Sequence, residues 1–210
     1  IRKSFKQMKN NVLDNINFNV KKGEFVTIMG PSGCGKSTLL FALSGMDSID
    51  KGRILFNGID VSKKTENQLS DMRRLSMGFV FQQPTMMKNL NILDNIILPA
   101  LADNKNSREA IVEKGKLLMG RTGISGLENR YITEVSGGQL QRAGICRALI
   151  NSPDIIFADE PTGSLNSKST DEIMDLFLEI NSGGRSILLV SHDAKISAYA
   201  DRVLFMRDGK

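Results

Sequence analysis

The stretch "MGPSGCGKSTLL", Met29 to Leu40, follows directly on the apolar run "FVTIM" and leads into the helix-like "STLLFAL". Glycines and small side chains therefore gather where a buried strand ends and a helix begins. Gly30 to Ser37, "GPSGCGKS", fits the pattern G-x-x-x-x-G-K-[ST] in the strand-then-helix context that gives the pattern meaning. The glycines let the backbone curl so that successive N–H groups, over Ser32, Gly33, Cys34, Gly35 and on into the helix to Thr38, point inward. They form an anion cradle at a positive helix end. Lys36 can reach the β- and γ-phosphates of a nucleotide, and the Ser37 hydroxyl can ligate Mg²⁺. Nucleotide binding follows, but the type of phosphoryl chemistry does not.

A second segment narrows the chemistry. "DIIFADE" is a hydrophobic strand ending in two acids, Asp159 and Glu160, and open parallel sheets bind ligands beyond their carboxyl ends. Asp159 would hold Mg²⁺, and Glu160 would orient and deprotonate an attacking water. The chain's one histidine, His192, follows the apolar "ILLV". From there it can hydrogen-bond a γ-phosphate oxygen and keep the water and Glu160 in line.

Strand-like segments at Phe25, Gly78, Asp154, Ser186 and Arg202 alternate with helical patterns, which predicts an α/β fold with a largely parallel buried sheet. Gly52 and Gly58 punctuate "DKGRILFNG" and "NGIDV", predicting a small antiparallel piece over roughly residues 1–28 and 50–80. From Pro84 to Ile150 the strand signal fades. "SREAIVEKGKLLMG" and "SGGQLQRAGICRALI" carry helical periodicity, so a helical lobe is expected there. In "STDEIMDLFLEINSGG", Ile173, Leu176, Phe177 and Ile180 mark one helix face, Ser169 and Glu172 read as a capping box, and Gly183 reads as a C-terminal cap.

At 210 residues and 40% apolar content, one lobed folding unit is expected. The longest apolar runs, near Ile96 and Ile187, fall well short of the roughly 20 residues of a membrane-spanning helix, so the chain reads as soluble. It opens at Ile1 without a charged leader and ends abruptly at Lys210, which reads as a trimmed cytosolic piece. Cys34 and Cys146 lack metal-ligand spacing and disulfide density, in keeping with a reducing compartment. The net charge of +5 is scattered and reads as a solvated surface; the sharpest excess is at Arg73 and Arg74.

"VSGGQLQR", Val135 to Arg142, carries a family resemblance. It is similar to the signature of ABC-type ATPases, the nucleotide-binding subunits of ABC transporters. Physically, Ser136, Gly137, Gly138 and Gln139 open a helix and offer a second anion-binding end. The resemblance covers nearly the whole chain, with motifs in the family's order. "FVFQQ" places Gln82 at the family's Q-loop glutamine, a sensor of γ-phosphate and Mg²⁺, "PTGSLN" matches the D-loop at Ser164 to Asn166, and His192 matches the switch histidine.

The resemblance implies a P-loop NTPase with a RecA-like core, a small antiparallel β subdomain and an inserted helical subdomain. All 210 residues would form a single ABC ATPase domain, with approximately 1–84 and 150–210 as core plus β subdomain and 85–149 as the helical signature subdomain. It implies ATP and Mg²⁺ as cofactors, with Glu160, His192, Lys36 and Gln82 catalytic, and Ser37, Gln82 and Asp159 around the metal. Two copies would pair head to tail, each ATP lying between one copy's phosphate loop and the other's Ser136 and Gly138. The expected partner is a membrane-spanning permease rather than nucleic acid, and the expected location is cytoplasmic, peripheral on the inner face of a bacterial membrane.

"KKGEFVTIMGPSGCGKSTLL", "DNIILPAL" and "ADEPTGSLNSKS" look like the branch of lipoprotein-release, macrolide-export and bacitracin-type peptide-export ATPases; a cell-division ATPase of that branch is an alternative. A soluble ABC-type ATPase acting on nucleic acid and a nucleotide-gated signalling lock are the other readings. Two positions depart from the family. The adenine-stacking aromatic, usually tyrosine, is Phe5, and the D-loop acid is replaced by Asn166. After Gln82, Met86, Met87 and Leu90 read either as plain core or as a groove that takes a cytoplasmic helix of the membrane partner.

Overall fold

The computed structural model describes residues 1–5, 11–102 and 106–210. Five strands form one parallel sheet in the order β4-β5-β6-β1-β7, where β1 is Phe25–Met29, β4 Met77–Phe81, β5 Ile155–Asp159, β6 Ser186–Ser191 and β7 Arg202–Phe205. β1 and β6 are buried at every position, because helices cover both faces of the sheet.

On one face Val26, Ile28, Leu188, Val190 and Phe157 pack against Leu39 and Leu40 of helix α1, Lys36–Leu43. On the other, Phe25, Ile156, Ile187 and Leu189 meet Ile173, Met174 and Phe177 of α6, Ser167–Ser182, and Ile145 of α5, Gly137–Leu149. A third core joins α3, Ile92–Leu101, and α4, Arg108–Arg121, to α5 through Ile96, Ile97, Met119, Ala143 and Cys146. α5 thus belongs to two cores at once. Among the described residues no helix is long and apolar enough to cross a membrane.

The antiparallel piece is smaller than the sequence suggested. The hairpin β2, Leu55–Phe56, and β3, Ile59–Asp60, turns at Asn57 and Gly58. Both turn residues have positive φ, 49° and 79°, as a two-residue hairpin turn requires. Arg2–Lys51 and Lys3–Leu13 are isolated antiparallel bridges outside it, and β1 and β4, which the span given to this piece overlaps, lie in the parallel sheet as their apolar runs predicted. Residues Glu66–Ser76 form a helix, α2, that was not expected; its capping box, Thr65 with Gln68, is visible in the sequence. The start of α6 also differs from expectation. Its cap is Asn166, whose Oδ1 accepts the Ser169 N–H at 2.9 Å, so Ser169 lies inside the first turn rather than capping it. Gly183 is the C-terminal cap as read.

Candidate functional site

Strand register assembles the site. Met29 of β1 pairs with Ser191 of β6, Val190 of β6 with Asp159 of β5, and Asp159 with Phe81 of β4. The residues that follow these ends are Gly30, His192, Glu160 and Gln82. Four neighbouring parallel strands therefore deliver the phosphate-loop entrance, the acids, the histidine and the glutamine to one edge.

Gly35 stands at the head of α1 in a left-handed conformation, φ 103°. A Cβ there would lie 2.9 Å from the Val12 carbonyl oxygen, and one on Gly30 would lie 2.1 Å from that of Met206. Only glycine lets the loop fold this tightly against its neighbours. Ser32 and Gly33 are exposed on the loop, Cys34 is buried under it, and Ser37 and Thr38 are half-buried. Lys36 is buried, and its Nζ donates to the carbonyls of Gly30 at 2.7 Å and Pro31 at 3.1 Å, with Glu160 Oε1 4.0 Å away. A buried ammonium over a ring of backbone N–H groups suits a polyphosphate.

Ser37 Oγ donates to Asp159 Oδ1 at 2.8 Å. Burial, offset in part by this hydrogen bond and reinforced by the neighbouring Glu160 charge, raises the Asp159 carboxyl above its ordinary value. A hydroxyl and a partly desolvated carboxylate side by side are hard oxygen donors that fit Mg²⁺ completed by phosphate and water. Among the described residues there is no cluster of three or more acidic, histidine or cysteine ligands that could hold a metal ion. When bound, Mg²⁺ would supply charge neutralisation across the phosphates.

Glu160 adopts a left-handed conformation, φ 48°, which a non-glycine residue adopts at some cost. Its backbone is held by N–H donation to Val190 and by accepting from Gly163, both 3.0 Å. His192 Nδ1 lies 2.9 Å from both Oε1 and Oε2 of Glu160. Gln82 is exposed, and its amide sits where a Cβ on Gly163 would come within 2.9 Å. The Ser164 hydroxyl also donates to the Gln82 carbonyl at 3.3 Å. Gln82 and the D-loop segment are thus in contact.

The second anion end lies elsewhere. Ser136 caps α5: its Oγ accepts the Gln139 N–H at 3.3 Å, and Gln139 Oε1 accepts the Ser136 N–H at 2.8 Å. Gly137 and Gly138 are the first residues of α5, where backbone N–H groups have no partner within the helix itself. The tip borders α6, with Ser169 Oγ 3.5 Å from a Cβ position on Gly138. Among the described residues no hydrogen bond or ion pair joins residues 136–139 to 30–38.

Phe5 is 40% exposed, and two residues before it Lys3 forms an isolated bridge with Leu13, next to the Val12 carbonyl that lies close to the phosphate loop. Met86 is buried, Met87 exposed and Leu90 half-buried; buried Asn95 fixes their loop by accepting from Met87 N–H and donating to the carbonyls of Met87, Leu90 and Asn91. Met86 therefore belongs to the core and Met87 to the surface. Both cysteines are free, and burial pushes the Cys146 thiol up to about 11, which removes it from thiolate chemistry.

Sequence reading missed Gln141. It is almost wholly buried and its Nε2 donates to the Phe81 carbonyl at 3.0 Å, tying the helix headed by Ser136 to the strand end that carries Gln82. The available signal was an amide on the apolar face of α5.

A parallel sheet that ends in such an edge is made for a phosphoanhydride, and the molecule is a P-loop nucleoside triphosphatase. Similarity to known proteins places it further. The sequence pattern of the family described as "ABC transporter" matches residues 13–163. The lipoprotein-releasing system ATP-binding protein LolD of Aquifex aeolicus is 44% identical, over 95% of this chain and 88% of that protein. The bacitracin export ATP-binding protein BceA of Halalkalibacterium halodurans is 42% identical, over 100% of this chain and 84% of that protein. A dimeric post-hydrolysis structure of the ATP-binding cassette MJ0796, bound to ADP and Pi, superposes with a TM-score of 0.92 at 34% identity, covering 100% of this chain and 93% of that one. The chain belongs to the ABC transporter family and is an ATP-binding, ATP-hydrolysing cassette.

Proposed function

We propose that this chain powers export or membrane extraction of a substrate through a separate membrane-spanning permease, and that it works as a head-to-tail pair around two MgATP. The observation that carries the reading is that one chain bears two helix ends suited to anions: Lys36, Asp159, Glu160 and His192 gather at one, and the other, capped by Ser136, has no hydrogen bond or ion pair to residues 30–38 among the described residues. A second copy would bring its Ser136, Gly137 and Gly138 to the γ-phosphate held by Lys36. The relatives LolD and BceA are named for lipoprotein release and bacitracin export, and MJ0796 has been captured as a dimer; these support the partner and the pairing.

Within the site Lys36 and the loop N–H groups bind the β- and γ-phosphates, and Ser37 and Asp159, with Gln82, hold Mg²⁺. Glu160 accepts the proton of the attacking water, and His192 keeps Glu160 oriented. Phe5 stacks on adenine. Residues 85–149 act as the helical signature subdomain of a single domain, and the exposed Met87 faces the permease. The cassette then sits on the inner face of a bacterial membrane.

Glu160→Gln tests the chemistry. It keeps the shape and removes the base, so ATP turnover falls by about 10²- to 10⁴-fold while ATP now holds the protein as a dimer on a sizing column. Parent-like turnover by the variant would remove Glu160 from the role of base.

A further inference from the structure

We propose that Lys3 is a positioning residue for the adenine ring: it supports the Phe5 ring from behind and leaves the other face for the base. The proposal rests on the reading of Phe5 as the stacking ring. Lys3 is a buried lysine, 4% exposed, at the rim of the fold. Its Nζ lies 4.9 Å from the Phe5 ring centroid, on one face of a ring that is 40% exposed.

The ammonium is fixed there by two further contacts. It donates to the Ser48 carbonyl at 2.5 Å and pairs with Asp47 Oδ1 at 2.7 Å. Both partners lie in the turn that leaves α1, the helix headed by the phosphate loop. Ser4 joins the same turn, its N–H and its hydroxyl both donating to Asp50 Oδ2 at 2.7 Å. The backbone of Lys3 is bonded both ways to Leu13. The ring two residues on from Lys3 is therefore referenced to the same helix that positions the phosphates.

Chemically, a cation on one face draws π-density toward it. That lessens the face-to-face quadrupole repulsion that otherwise disfavours stacking on the opposite face. Phenylalanine has no hydroxyl with which to fix itself, so the cation behind it takes over that task. The buried methylene stem of Lys3 adds a packing surface.

The test measures equilibrium binding of ATP and of inorganic tripolyphosphate, which lacks the base, by calorimetry on the whole chain. Lys3→Met is expected to weaken ATP by about three- to tenfold and leave tripolyphosphate unchanged. In a Phe5→Ala background the same change is expected to cost ATP nothing further. Equal loss for both ligands, or losses from Lys3→Met and Phe5→Ala that simply add, would overturn the proposal. If Lys3→Met does not fold, Lys3→Gln, which is uncharged but still able to donate to Ser48, is read in the same way, and a parent-like ratio of the two affinities then overturns it. Failure of the underlying reading shows separately, as a Phe5→Ala variant that binds ATP as the parent does.

Discussion

His192 Nδ1 lies 2.9 Å from each carboxylate oxygen of Glu160, although the two residues are 32 positions apart and follow different strands. The contact follows from register: Asp159 pairs with Val190 across β5 and β6, which brings Glu160 level with Ser191, the residue before His192. His192 is the more exposed partner, 57% against 18% for the Glu160 side chain. The carboxylate of a left-handed residue is thus held by an imidazole that stays open to solvent.

His192→Ala is therefore expected to lower ATP turnover by about 10²-fold and leave ATP affinity within about twofold. Steady-state hydrolysis and equilibrium binding on the same preparation check this. A parallel loss of affinity would make His192 a binding group rather than an organiser of Glu160.

Asp159 carries a pH signature. Its folded-state value is raised, chiefly by burial, so the folded chain binds that proton more tightly than the unfolded chain. The charged form therefore costs stability at neutral pH, and the cost is absent below the ordinary carboxyl value of 3.8. Asp159→Asn should raise the melting temperature of the nucleotide-free chain at pH 7 to 8, with the gain fading as the pH approaches 4. The same variant should need far more Mg²⁺ for hydrolysis. Thermal scans across pH and a Mg²⁺ titration of turnover are the measurements.

The phosphate loop depends on Gly35. Alanine there would hold φ 103° against its preference and bring Cβ to 2.9 Å from the Val12 carbonyl. Gly35→Ala should cost about 1–3 kcal/mol of stability and weaken ATP binding by at least tenfold. Denaturant unfolding and nucleotide binding would reveal it, and a variant with parent-like values for both would mean that the loop is not held at this point.

Much of this was legible in the chain. β1 and β6 could be read because both their faces are buried, which makes them short continuous apolar runs. The phosphate loop, the acid pair and the Ser136 tip were readable because each is a local pattern. α2 was hidden because the glycine turn signals around it outweighed the Thr65–Gln68 cap. The start of α6 was misplaced because the first turn, Ser167 to Ser169, has no apolar residue to anchor the period, and Ser169 is a plausible cap in its own right. Asn166 in place of an acid becomes intelligible in the structure, since asparagine caps a helix as well as aspartate does. Gln141 and Asn95 stayed unread because the task of each depends on which backbone carbonyls the fold brings to it. For Gln141 that is Phe81, 60 positions away.

In the proposed pair a complete ATP site takes Lys36 from one copy and Ser136 from another. The direct measurement is complementation between two inactive variants, Lys36→Ala and Ser136→Arg, mixed in equal amounts and assayed for ATP hydrolysis. In a mixed pair, head-to-tail sharing places both defects in one site and leaves the other intact, so activity absent from either variant alone should return on mixing. If the mixture stays as inactive as its components while the variants demonstrably form mixed pairs, the two ends act within a single chain and the account is contradicted.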